Sequence, residues 1–378
     1  MTGYEIGMEV EAALKTFPKD RQPINLSYWN SGSDWKKKLS AVIKLSGKSD
    51  LFDYQYYFPK SIEKDIARKL GFSDQAYEES FFASLPQSTL SIATMAIFLK
   101  KHNQKVGIIE PVYFSVQICF DDFSIPYQLF GDYMKNINST FDAEKLLQSG
   151  CTAFWFTPPV NSCSIYFMEK LTKGIQKLLD AGKMVILDES LCANGFEFSR
   201  LFGAQENLLY IYSPHKALGL QGIKFSCITA HKKYYDDIDI LKDIYGGSQN
   251  YSCQEGAEHF VSKNFDECMK AYTDFWQNNL SLVKGIVKNY DFARILPETF
   301  GPYALVLIDR YVDDENFVAA MKQLMKETGY FVYPGSIYGF HPEKSICFRV
   351  NMLLNTGDIE KGLVGILEYF KRCGDKQK

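Results

Sequence analysis

"NLLYIYSPHKALGLQGIKFSC", residues 207–227, begins with an apolar and aromatic run and turns at a serine and a proline. It then places Lys216 just beyond the turn, with glycines at 219 and 222 and a second lysine at 224. A short apolar run bounded by turn residues reads as a strand covered on both faces. Upstream, "KMVILDES" (183–190) follows the same plan and ends on Asp188 and Glu189. "KVGIIE" (105–110), "TAFWF" (152–156) and "IKFSCITA" (223–230) are further strand candidates. Between the runs at 152 and 183, Ile165, Met168, Leu171, Ile175 and Leu178 fall on one helical face, and "DAGK" marks the stop. This β-α-β unit, within an alternation running from about residue 90 to residue 230, predicts an α/β fold: a mostly parallel sheet flanked by helices.

The pattern changes after "YGGSQNYSCQEG" (245–256). One long helix is expected over roughly 256–290, with Phe265, Met269, Tyr272, Trp276, Leu280, Val283 and Val287 on its apolar side. "YALVLID", a helix near 314–328, the strand "SICFRVNM" and a last helix carrying Ile359, Leu363, Ile366 and Phe370 complete a smaller α+β lobe. A chain of 378 residues exceeds what one core commonly serves, so two lobes fit its length. The expected division is an N-terminal arm (1–44) packing on the small domain, a large domain (45–250) and a small C-terminal domain (251–378).

A formal net charge of −3 provides no basic field for nucleic acid or anionic lipid. Apolar stretches such as "SIATMAIFL" fall well short of the ~20 residues a membrane span needs. The acidic start "MTGYEIGMEVEAALK" lacks the order of a secretory signal, so a cytoplasmic location is expected. Nine cysteines without a C-x-x-C pair argue against a disulfide framework or a zinc site. "SGKS" (46–49) lacks the first glycine of a phosphate loop, since Val42 stands there, and reads as a turn.

Carboxyl ends of strands are where open α/β sheets bind ligands. Asp188 closes one strand and Lys216, 28 residues on, follows another, and together they offer a carboxylate and an amine. Taken singly, they would read as a loop acid and a surface lysine. Together they suit pyridoxal phosphate, whose aldehyde takes a neutral lysine amine and whose pyridine nitrogen is kept protonated by a carboxylate. The cofactor's phosphate needs hydroxyls, free N–H groups at a helix start and a cation. Ser88 and Thr89, just before an apolar helix, fit that need or an ordinary helix cap equally well. Ser213 and Lys224 flank the Lys216 turn and supply a further hydroxyl and the cation. Tyr113, after "KVGIIEPV", could stack on a planar ring or simply pack.

"LDES", then "SPHKALGLQGIK" starting 25 residues after Asp188, with "TPPVNSCS" (157–164) upstream and "FRVNM" near the end, resembles the fold type I pyridoxal-phosphate enzymes, specifically the class I/II aminotransferase branch. The resemblance runs from about residue 54 to residue 349. It implies that Lys216 forms the Schiff base and shuttles the proton, that Asp188 pairs with the pyridine nitrogen, and that Asn161 bonds the ring's phenolic oxygen. It also implies that Tyr113 stacks on the ring and that Ser88, Thr89, Ser213 and Lys224 hold the phosphate. Tyr54 of "FDYQYYFP" would reach over from a second subunit of a homodimer, and Arg349 would clamp the substrate carboxylate, a planar match that lysine cannot imitate. The partners are then small molecules, an amino acid and an oxo acid.

Several positions depart from the pattern. Leu191 replaces the tyrosine of the usual "D-E-A-Y", "TPPVNSCS" is a degraded "N-P-x-N-P-T-G", Lys224 stands for an arginine, and His215 precedes the lysine as in some desulfurases and decarboxylases. The leading expectation is an amino-acid aminotransferase. A decarboxylase, lyase, cyclase or oxidase using the same cofactor is the alternative, and a non-catalytic cofactor-binding module is a third. Tyr28, Trp29, Tyr245, Tyr338 and Phe340 are candidates to surround the substrate side chain, with core packing the competing role for each.

Overall fold

The structure, a computed structural model, describes residues 3–21, 23–27, 32–42, 60–131, 142–158, 168–190, 199–213, 216, 218–219, 224–247, 258–296, 301–310, 314–338, 340 and 345–375. Its strands are β1 (Ile24–Asn25), β2 (Ser80–Leu85), β3 (Val106–Ile109), β4 (Tyr127–Phe130), β5 (Ala153–Phe156), β6 (Met184–Asp188), β7 (Leu208–Tyr212), β8 (Ser226–His231), β9 (Ala293–Ile295), β10 (Tyr303–Ile308), β11 (Tyr330–Phe331) and β12 (Ile346–Asn351). Its helices are α1 (Gly3–Leu14), α2 (Ser33–Val42), α3 (Lys60–Lys69), α4 (Asp74–Glu78), α5 (Ser88–Lys101), α6 (Phe114–Asp122), α7 (Ala143–Gln148), α8 (Met168–Asp180), α9 (Tyr235–Gly246), α10 (Phe265–Val287), α11 (Asp314–Thr328) and α12 (Thr356–Asp375).

Seven strands form the main sheet in the order β2-β8-β7-β6-β5-β3-β4. Pairs β4/β3, β3/β5, β5/β6 and β6/β7 are parallel, whereas β8 runs against both β7 and β2. The inner strands β3, β5, β6 and β7 are almost wholly apolar along their length because both faces are covered, Asp188 at the end of β6 being the charged exception. On β6, Met184 and Ile186 pack with Ile92, Met95 and Phe98 of α5, and Val185 and Leu187 pack with Ile175 and Leu178 of α8 on the other face. Each such fully buried side chain contributes roughly 1.5–3 kcal/mol relative to exposure.

This strand order decides where the functional side chains go. The parallel strands β3, β5, β6 and β7 and the edge strand β2 all end at one rim of the sheet, and the reversed β8 begins there. The segments that follow β2, β3, β6 and β7 and precede β8 therefore meet along one line.

The smaller lobe is built on the antiparallel sheet β12-β10-β9, with Arg349 opposite Leu305. The N-terminal segment joins this lobe. β1 pairs in parallel with β11, Val10 of α1 packs with Met325 and Phe331, and Trp35 of α2 lies edge-on to Tyr272 of α10, with 5.8 Å between ring centroids.

The six strands read from the sequence, "SICFRVNM" among them as β12, are present, and three features differ. The strand expected at 223–230 starts at Ser226, so Lys224 lies on its approach. The helix expected over 256–290 is divided into a π-helical turn, Glu258–Lys263, and α10. Ser88 and Thr89 are the first two residues of α5 and do not precede it, the cap position being Gln87. The two edge strands β2 and β4 were not anticipated: each stands at a margin of the sheet, and β4 is partly exposed along its length.

Candidate active site

Asp188 ends β6 and is 2% exposed. Its Oδ1 accepts two hydrogen bonds from Ser190, from the backbone N at 3.1 Å and from Oγ at 2.5 Å. Burial pushes the carboxyl above its ordinary range, and the Ser190 hydroxyl, the Lys216 charge and the Ser190 amide oppose that push.

Lys216 occupies the turn after β7. Its amide donates to Ser213 O at 3.2 Å and its carbonyl accepts from Gly219 N at 3.1 Å. Gly219 has φ +70, a conformation that favours a residue without Cβ. Trp35 Nε1 donates to Leu218 O at 2.8 Å, so α2 fixes the same turn from outside the sheet. Burial lowers the Lys216 ammonium below its usual value, Asp188 works against this, and the like charge of Lys224 adds to it. A lysine that must act as a neutral amine is served by that balance.

Tyr113, the cap residue of α6, lies past the end of β3. The Lys216 Nζ stands 5.2 Å from the centroid of its ring. Burial raises the Tyr113 phenol, with a small further push from Asp188. Tyr113, Asp188 and Lys216, three residues chosen from the sequence, thus form one group at the sheet rim.

Ser88 is buried and Thr89 exposed at the start of α5, where the first amides of a helix have no intrahelical acceptor. Gln87 makes no side-chain cap there. Ser213 is fully buried, and its hydroxyl donates to Ser226 Oγ at 2.9 Å. Ser226 also accepts from Ser91 Oγ at 2.7 Å and donates to Tyr212 O at 3.3 Å. For Ser213 to donate to a phosphate, its proton must leave Ser226. Lys224 is exposed, with its charge near enough to act on Lys216.

Arg349 is held in the smaller lobe. It is fully buried on β12, its Nη2 donates to Ser27 O, and its guanidinium carbon lies 3.9 Å from the Tyr338 ring centroid and 4.5 Å from that of Tyr303. Ser27 Oγ in turn donates to Arg349 O at 2.5 Å and accepts from Tyr333 N at 3.2 Å. Tyr338 therefore packs on the arginine, Phe340 is buried in the core with Leu296 and Leu305, and Tyr245 is exposed on α9. Tyr28, Trp29, Tyr54, Asn161, Leu191 and His215 lie outside the described residues.

The structure tests the pyridoxal-phosphate reading directly through Thr157. This residue follows the Phe156↔Leu187 pair of β5 and β6, so it borders Asp188, and its buried hydroxyl has no hydrogen-bond partner. An unmet buried hydroxyl costs about 1–3 kcal/mol, and its place beside the buried Asp188 carboxylate fits a polar ring held at this rim. Thr157, Ser190, Ser226 and Trp35 were not singled out in the sequence. The "D-E-S" in place of "D-E-A" was the visible signal for Ser190; nothing local marks the others.

A family model described as aminotransferase class I and II matches residues 25–366. Among solved structures, the chain is similar to a multiple substrate aminotransferase from Thermococcus profundus, with a TM-score of 0.73 and 14% identity over 97% of this chain and 96% of that one. It is similar to the kynurenine aminotransferase of Pyrococcus horikoshii, with a TM-score of 0.74 and 12% identity over 97% and 94% of the two chains. The aspartate aminotransferase of Thermotoga maritima gives a TM-score of 0.74 and 12% identity over 97% of each chain. At these identities the structures establish the shared fold. No curated protein sequence matches the chain.

Proposed function

The chain belongs to the class I and II aminotransferase family, whose members are pyridoxal-phosphate-dependent transferases, and on that premise we propose which of its residues carry the reaction. Lys216 anchors the cofactor and moves the proton at the substrate α-carbon. Asp188 holds the proton on the pyridine nitrogen. Tyr113 covers the ring, and Asn161 bonds its phenolic oxygen. Ser88, Thr89, Ser213 and Lys224 take the phosphate, together with Tyr54 of a second copy in a homodimer. Arg349 receives the carboxylate of the amino acid or oxo acid.

The convergence of Asp188, Lys216 and Tyr113 at the rim of the sheet carries this reading. When bound, pyridoxal phosphate supplies an electron-withdrawing ring that makes the substrate α-proton acidic. The protein supplies placement. Asp188 is buried, so its charge acts through a medium that weakens it little. Burial lowers the Lys216 ammonium, which favours the free amine as the base at the α-carbon, and the same base returns the proton. Arg349, set against the rings of Tyr303 and Tyr338, offers a planar donor set.

The division into an arm (1–44), a large domain (45–250) and a small domain (251–378) belongs to the same reading, supported by the pairing of β1 with β11. So do a cytoplasmic location and a role in biosynthetic amino-acid metabolism. Among the described residues no helix is long and apolar enough to cross a membrane.

The test is to load the chain with pyridoxal phosphate, add single L-amino acids, and measure 2-oxo acid release together with conversion of the cofactor to its amine form. One oxo acid per cofactor from at least one donor is expected. A loaded chain that releases carbon dioxide or ammonia, and no oxo acid, from every donor would overturn the proposal.

A further inference from the structure

Ser190 stands two residues beyond Asp188, where the family pattern "D-E-A-Y" has an alanine. It is 5% exposed, and both of its donors converge on one atom: the amide N lies 3.1 Å and Oγ 2.5 Å from Asp188 Oδ1. Among the described residues no donor reaches Asp188 Oδ2. A carboxylate with one oxygen held twice cannot rotate about its side-chain bond without giving up both bonds, each strengthened by the charge it meets. An alanine would leave only the amide, and a single bond lets the carboxylate swing about it.

We propose that Ser190 is a positioning residue that locks the Asp188 carboxylate so that Oδ2 is the oxygen presented to the cofactor's pyridine nitrogen. The inference rests on the assignment of Asp188 to that nitrogen. It gives this chain a device that the alanine of the family pattern cannot supply, because alanine has no side-chain donor. The same hydroxyl opposes the upward push of burial on the Asp188 carboxyl and so favours its charged form. Ser190 acts through Asp188 and has no direct part in proton movement.

The experiment compares two cofactors on the full-length chain. One is pyridoxal phosphate; the other is its 1-deaza analogue, in which a C–H replaces the ring nitrogen. Affinities are read by equilibrium absorption for wild type, Ser190→Ala, Ser190→Cys and Asp188→Asn, with circular dichroism as the check of folding. Ser190→Ala should weaken pyridoxal phosphate about tenfold, the equivalent of about 1.4 kcal/mol, and leave the deaza analogue within about twofold. Ser190→Cys keeps the volume with a weak donor, should fall between the two, and serves if the alanine variant does not fold. Equal weakening of both cofactors, or no weakening of either, would overturn the proposal and leave Ser190 a structural residue. If Asp188→Asn abolishes the preference for the ring nitrogen while the Ser190 variants keep it, the Ser190 role alone falls. If wild type shows no preference between the cofactors, the Asp188 assignment falls and takes this inference with it.

Discussion

Asp188 and Arg349 are both buried charges, and they are held in opposite ways. Asp188 is fixed by Ser190, two residues away, on a sheet whose rim is assembled within residues 80–231. Arg349 is fixed by Ser27, 322 positions away, and by Tyr303 and Tyr338 of its own lobe. On the proposed assignment, the cofactor side of the site is built mainly by local turns at strand ends, with one contact from α2 through Trp35, whereas the carboxylate side is tied to the N-terminal segment through Ser27. The two halves should therefore fail separately when they are perturbed.

The largest expected separation comes from Arg349→Ala. Loss of a bidentate charged contact, with each bond worth about 1.5–3 kcal/mol, should lower kcat/KM for amino donors about 100-fold or more. Pyridoxal-phosphate affinity should stay within about twofold. A parallel loss of cofactor affinity, measured by absorption titration, would break the comparison.

Ser27→Ala should give a smaller version of the same split. It removes the donor to Arg349 O and leaves Tyr333 N without its acceptor, so unfolding free energy should fall by about 1–3 kcal/mol in a denaturant titration. The KM for the donor should rise while the cofactor affinity holds. An unchanged KM would mean that the Ser27 hydroxyl supports the fold without setting the arginine, whose Nη2 bond to the Ser27 carbonyl the variant keeps.

The smallest effect sharpens the cofactor side alone. The lysine must lose its proton to react, so the rate of cofactor attachment to the apo chain should rise with pH and level off below the ordinary lysine value of 10.5, because burial lowers Lys216. Lys224 contributes to that lowering, so Lys224→Gln should move the midpoint up. A midpoint that stays or falls, read from stopped-flow absorbance across pH, would remove Lys224 from the electrostatics of the site.

The same contrast explains what could be read from the sequence. β3, β5, β6, β7 and β8 were legible because strands covered on both faces become apolar runs, and the polar residues ending them stood out. β2 and β4 were not. "SFFASL" runs straight into the start of α5, and "YQLF" is a partly exposed margin without the inner strands' continuous burial. The π-helical turn at Glu258–Lys263 precedes α10, and the apolar positions read for the expected helix all lie from Phe265 onward, within α10 itself. Asp188, Lys216 and Tyr113 were found because each follows a run. Ser226, Thr157 and Trp35 were hidden because their roles depend on which element the chain brings beside them, and a serine's sequence neighbours say nothing of that. Arg349 was legible through its family resemblance, but its contacts with the Tyr303 and Tyr338 rings and its bond to Ser27 arise only from the folded lobe.

The most direct test of the account is borohydride reduction of the pyridoxal-phosphate-loaded chain, followed by peptide mapping, beside Lys216→Ala. The account predicts a visible absorption band that reduction abolishes, with the cofactor covalently fixed to the peptide containing Lys216 and no label in the variant. Label on another lysine, or a chain that stays colourless with added cofactor, would contradict it.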